Sequence, residues 1–204
     1  MLARAWIVLG FASFLIGCVP VPGTSGRAAL WRLHAAKLTG ISGFELEAQI
    51  GVVDRGRGFT GSMTWRKSRG ADLVLVQGPL ESGGFRLSGH PGRWILMTAR
   101  GRRVEIRHGL RRALGRWFGI PVPLESLRFW ILGLPDPRFP AEFSWTRRGR
   151  VRTLLQDRWQ VRLGQYLPVG RQALPTDVIL AHGPIRIHVR VDRWSIIRRH
   201  SVRP

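Results

Sequence analysis

The chain has 204 residues, of which 44% are hydrophobic and 9% aromatic, a composition that excludes a disordered polymer and suits one domain with a sizeable core. It carries 33 Lys and Arg against 12 Asp and Glu, a formal charge of +21, which points to an anionic partner. Its single cysteine leaves neither a disulfide framework nor a cysteine-ligated metal centre open to it.

Residues 1–17 hold one cation, Arg4, ahead of an apolar run over 5–16 that is interrupted only by Gly10 and Ser13. That run is too short to cross a bilayer and has the length of the apolar core of a secretory signal. It ends in Leu15, Ile16, Gly17 and Cys18, which resembles the lipobox of bacterial lipoproteins, in which the Cys is lipidated and becomes the mature N-terminus. Cys18 is therefore expected to be a lipid anchor, and cleavage would leave 187 residues with 32 cations, 12 anions and a net +20. For an exported chain nucleic acid is not the expected partner. The charge then points to lipid headgroups or an acidic partner, or to a plain compositional bias towards Arg, since Lys37 and Lys67 are the only lysines.

Residues 18–26, rich in Pro and Gly, read as a linker to a domain over 27–197, and residues 198–204 as a basic tail. A helix is expected over 27–38, capped by Ser25 and stopped at Gly40, with Trp31, Ala35 and Leu38 on one face. From Phe44 the period becomes two: Phe44, Leu46, Ala48, Ile50 and Val52 alternate with polar residues or Gly, a turn follows over 54–58, and Phe59, Gly61, Met63 and Trp65 form the returning strand. The run over 71–77 is apolar at successive positions, which predicts cover on both faces. Shorter strands follow around Phe85 and Leu87, over 94–98, and at Val104 and Ile106, the signature of an antiparallel meander.

The strand signal then stops. Leu110, Leu114, Trp117 and Phe118 fall on one side of an expected helix and Arg111, Arg112 and Arg116 on the other, with Gly109 and Gly115 weakening it. A second helix over 123–132 is apolar around most of its circumference, so it lies in a core or faces something greasy. Strands return over 151–155, 159–163 and 185–191, the last with the cleanest alternation in the chain, and 194–197 extends or pairs with it.

Gly56, Gly58 and Gly61 match a GxGxxG pattern, but they sit between two strands with no helix after them and so read as hairpin turn. The six histidines show no metal-ligand spacing, the acids are dispersed, and there is no GxSxG elbow, so an enzyme is not expected. Tryptophans occur in nearly every predicted element and serve either to fill a core or to line an apolar cavity. Pro79 and Leu80 lie in a hairpin connection over 77–84, where Leu80 is either an unremarkable surface residue or one that dips into a neighbouring bilayer.

The run from Gly119 through Pro121, Pro123, Leu124, Leu127, Phe129, Trp130 and Gly133 to Pro135 resembles the most recognisable stretch of the LolB family of outer-membrane lipoprotein receptors. Trp31 and Arg32 with His34, the Met63 to Arg66 run, Pro79 with Leu80, Gln156 with Asp157 and Trp159, and the Ile185 to Trp194 strand support it in the same order. The resemblance implies a half-open antiparallel β-barrel with a helical lid over a hydrophobic cavity that receives the acyl chains of a client lipoprotein. It also implies a monomer on the periplasmic face of the outer membrane that takes clients from a periplasmic carrier of the LolA type and inserts them into outer-membrane phospholipid, with no cofactor beyond the lipid on Cys18. Leu80, beside Pro79, falls where the family carries a protruding loop Leu linked to membrane insertion. The expected acyl-chain cavity is lined by Phe44, Leu46, Trp65, Trp94, Leu127, Trp130 and Ile131. The rival expectation is a structural or adhesion lipoprotein with a filled core and an Arg-rich face on anionic lipid.

Overall fold

A computed structural model of the chain describes residues 24–79 and 83–197. Cys18, with the signal and most of the linker, Leu80 and the 198–204 tail lie outside the described residues. Helix α1 (Thr24–Thr39) comes first and begins three residues earlier than expected, so Ser25 lies within its first turn. A meander follows: β1 (Gly43–Asp54), β2 (Arg57–Ser68), β3 (Ala71–Gln77), β4 (Gly84–His90), β5 (Arg93–Thr98) and β6 (Arg103–Ile106). Helices α2 (Leu110–Phe118) and α3 (Leu124–Trp130) interrupt the strands, which resume as β7 (Glu142–Trp145), β8 (Val151–Gln156), β9 (Trp159–Val169), β10 (Gln172–His182) and β11 (Ile185–Ile197).

All eleven strands form one antiparallel sheet in the order β6-β5-β4-β3-β2-β1-β11-β10-β9-β8-β7. The first and last strands of the chain's two halves therefore meet in the middle, through the β1 and β11 pairing that matches Ile50 with Val189 and Val52 with Ile187. A register shift at Glu47 and Ala48 in that central pair bends the sheet, as an extra residue in one strand does. The edges, β6 and β7, are four residues each and do not pair with one another, so the barrel is open, and α2 and α3 run between the edges in sequence. Short edges offer little backbone for unwanted pairing.

One face of the sheet is buried because the alternation demands it. Phe44, Leu46, Ala48, Ile50 and Val52 of β1 and Ile185, Ile187, Val189 and Val191 of β11 are all under one-tenth exposed. β3 corrects one expectation: Val74 and Val76 are buried, but Leu75 is 38% exposed, because this layer has helices on its concave face only and solvent on the other. Two strands lay beneath the reach of the sequence signal, β7 and β10, and β9 runs six residues beyond its predicted end.

Register divides the concave face into successive rows. Leu46, Trp65, Val74, Leu87, Leu96 and Val104 are opposite one another across six strands. The next inward row towards the β1–β2 turn runs Ala48, Met63, Val76, Phe85 and Thr98. The antiparallel order places the β1–β2 turn, the β3–β4 connection and the β5–β6 turn at one end of the sheet and the β2–β3, β4–β5 and β7–β8 turns at the other.

Candidate functional site

Helix α3 is bolted to the sheet. Trp130 Nε1 donates to Gln156 Oε1 at 2.7 Å, the Asp136 N–H donates to the same oxygen at 2.8 Å, and Gln156 Nε2 donates to the carbonyls of Asp136 and Phe139 at 2.9 and 2.8 Å. The Asp136 carboxylate accepts from Ser126 Oγ at 2.8 Å and from Arg138 at 2.7 Å. Burial alone would raise the Asp136 pKa, but the Arg138 guanidinium, the Arg138 N–H and the Ser126 hydroxyl together hold it below the usual carboxylate value. These contacts give the Pro-rich turn after α3 its shape and fix the helix by both its first turn and its last.

A second tie is ionic. Arg128 reaches from α3 into the inward row of β3, where its guanidinium lies 3.4 Å from Asp72 Oδ2 and Trp65 Nε1 donates to Asp72 Oδ1 at 2.9 Å. Both charged side chains are nearly inaccessible, and burial raises the Asp72 pKa against the opposing effects of Trp65, Arg128 and Lys67. Lys67 is itself held below its ordinary value by burial and by Arg128.

Helix α2 is held more lightly. Leu110, Ala113 and Leu114 are buried, whereas Arg111, Arg112 and Arg116 face solvent, as the spacing predicts. Phe118 packs on Phe85 with ring centroids 4.4 Å apart, Arg102 lies 4.6 Å over the Trp117 ring, and an exposed Arg111 to Asp157 contact of 3.0 Å ties the first turn to the β8–β9 turn. Gly109 and Gly119 bracket the helix at φ 66 and 77, left-handed values that glycine adopts without strain.

Between the two helices and the sheet lies a cavity of about 480 Å³. Its walls are Met63, Val76 and Phe85 from one inward row, Ile50, Val52 and Phe59 nearer the β1–β2 turn, and Leu114, Trp117, Ile120, Leu124 and Leu127 from the helical side. Arg100, at its rim, is the one charged residue among the described residues that line it. The cavity opens at the end of the sheet that carries the β3–β4 connection, whose neck is pinched by a 2.7 Å hydrogen bond from the Gly78 N–H to the Gly83 carbonyl, with Pro79 exposed beside it.

Of the seven residues expected to line such a space, the structure brings Leu127 to the wall. Phe44, Leu46, Trp65, Trp94, Trp130 and Ile131 pack instead into the solid core, each at most 2% exposed. They lie on the concave side, but in rows nearer the closed end of the sheet, or one turn further along α3. Sequence periodicity reports the face of a strand and carries no information on depth along it. Val76 and Phe85 were missed for the same reason, and Ile120 because it lies in the link between α2 and α3, where no strand period applies.

The described residues thus form an open antiparallel half-barrel around an apolar cavity, with α2 and α3 over its concave face. The chain belongs to the LolB family: the family profile described as "Outer membrane lipoprotein LolB" matches residues 42–194. Among its relatives are outer-membrane lipoproteins LolB of Pseudomonas fluorescens, 28% identical over 95% of this chain and 97% of that one, and of Nitrosococcus oceani, 28% identical over 95% and 98%. The Klebsiella pneumoniae LolB is 29% identical over 86% of this chain and 87% of its own. Among solved structures, a LolA superfamily protein of Nitrosomonas europaea shares the fold at a TM-score of 0.55 and 8% identity, covering 87% of this chain and 94% of its own. A DUF1329 family protein of Desulfovibrio piger does so at 0.53 and 9%, covering 90% and 96%.

Proposed function

We propose that this protein is an outer-membrane lipoprotein that accepts other lipoproteins from a periplasmic carrier of the LolA type by taking their acyl chains into the cavity under α2 and α3, and then passes them into the inner leaflet of the outer membrane. The observation that carries the reading is the cavity itself, which joins an apolar wall to an open end in a chain of this family. No bond is made or broken. Transfer runs downhill if the acyl chains bind more tightly here than in the carrier, and each tenfold difference supplies about 1.4 kcal/mol.

The unequal fastening of the helices assigns their parts. α3, tied through Gln156, Asp136 and Asp72, is the fixed wall, and α2 is the part that swings between Gly109 and Gly119 to admit a chain. Cys18 carries the lipid that tethers the protein to the membrane. Leu80, next to the exposed Pro79, enters the acyl region when the client is released, where burying a Leu side chain is worth about 1.5–3 kcal/mol.

Photocrosslinking tests this. A photoreactive side chain at Val76 or Ile120 should capture the acyl chain of a client received from its carrier, while one at exposed Arg66 on the outer face should not. Equal capture at both positions would contradict the reading.

A further inference from the structure

We propose that the cavity end of the meander is a docking surface for anionic phospholipid bilayers. Two recesses adjoin the mouth. In one, Arg55 of the β1–β2 turn and Arg57 at the start of β2 line a wall together with Phe59, Phe118 and Ile120, all three of which also line the cavity. In the other, on the outer face of the sheet, Leu75, Arg86 and Met97 share the recess with Gly83, Gly84 and Ala99, which again belong to the cavity rim. The register explains the second recess, since Leu75 pairs with Arg86 and Arg86 with Met97, so that an exposed Arg stands between two apolar residues that are 38% and 39% exposed.

Charge and apolarity are thus interleaved at one end of the sheet. Arg55, Arg57, Arg86 and Arg100 are exposed, and among the described residues none of them forms an ion pair. Asp54 lines the first recess beside Arg55 and Arg57 and offsets one of these charges, which leaves the cations in excess among the described residues. A soluble protein partner would call for acids on its own surface in a matching pattern. A bilayer with anionic headgroups offers both features of this surface at once, phosphates for guanidinium groups and an acyl boundary into which Leu75 and Met97 settle. The surface stands independently of the acceptor role, because its residues would dock the protein whether or not the cavity takes a lipoprotein.

The test uses the full chain reconstituted into vesicles of phosphatidylcholine, with and without phosphatidylglycerol, and reads backbone hydrogen exchange over 53–59 and 97–103. Protection of both segments is expected on the phosphatidylglycerol vesicles and not on phosphatidylcholine alone, and it should weaken as salt rises. A cation held at an anionic surface contributes roughly a fivefold bias, so R55Q/R57Q should lower the ratio of docked to undocked protein about thirtyfold. R86Q/R100Q should do likewise, which guards against a local effect on one turn. R147Q/R148Q removes the same charge from the β7–β8 turn at the far end and should leave protection intact. Equal protection on both vesicle types, or equal loss in the near-end and far-end variants, would overturn the proposal.

Discussion

Trp130 and Asp136 share one acceptor, Gln156 Oε1, at 2.7 and 2.8 Å, and all three residues are buried. Removing Gln156 would leave two donors and the carbonyls that its amide serves without partners in a site closed to water. Each buried group so orphaned costs about 1–3 kcal/mol, so Gln156→Ala should destabilise the protein by about 3 kcal/mol or more. Urea unfolding measures this, and a loss below about 1 kcal/mol would mean that α3 is held mainly by its apolar side chains.

The Arg128 and Asp72 pair makes a pH-dependent prediction. With the guanidinium removed, Arg128→Met leaves a buried carboxylate facing only Trp65 Nε1 and Lys67, a loss of about 3–5 kcal/mol at neutral pH. The Asp72 pKa is already raised in the fold, so the folded state keeps a proton that the unfolded chain has lost, and stability falls as pH climbs from 3.8 through the folded value. Removing Arg128 widens that window upwards. Arg128→Met should therefore recover stability on mild acidification, and Arg128→Met with Asp72→Asn should recover most of it at any pH. Unfolding curves across the acid range would show either a recovery or none.

Cavity and core are separable by substitution. Val76→Trp fills the space between Met63 and Phe85, and each methylene of a ligand kept out forfeits about 0.8 kcal/mol, so binding of a fluorescent fatty acid should fall at least about tenfold. Leu46→Ala, in the adjoining row, should cost about 2–5 kcal/mol of stability and leave that binding nearly unchanged. A reversed pattern would move the ligand site to the closed end.

His34 supplies a separate acid sensitivity at α1. Burial, helped by Arg150 and Lys37, lowers its pKa against a backbone hydrogen bond with Ala173, so the fold resists a proton that the unfolded chain accepts. Stability should drop as pH falls below the ordinary imidazole value of 6.5 and keep dropping until the lowered value is passed. His34→Gln should flatten this slope in urea unfolding, and an unchanged slope would place the sensitivity elsewhere.

The alternation of Phe44 to Val52 and of Ile185 to Val191 made most of the sheet legible, because a half-buried strand must repeat every two residues. The amphipathic split of α2 was equally plain. β10 was hidden because Ala173 and Pro175 are buried in a run with Leu174 and Thr176, and apolar Ile179 lies between Val178 and Leu180, so apolar and polar residues do not alternate. β7 is too short to show one. The apolar circumference of α3 was read as a core helix or a greasy wall, and it serves as both: Leu124 and Leu127 face the cavity while Trp130 and Ile131 anchor the core. Periodicity announces neither Gln156 nor Asp72, whose roles arise from residues distant along the chain or in a neighbouring strand.

Transfer of a labelled lipoprotein is the measurement that bears most directly on the acceptor role. The full chain, anchored in vesicles, is mixed with a periplasmic carrier loaded with the labelled client, and the label is followed over time. The label should move first onto this protein and then into the bilayer, and Leu80→Glu should stop it at the first stage because a charge resists the acyl region. Label that stays on a competent carrier, or that reaches the bilayer equally well without this protein, would contradict the acceptor function.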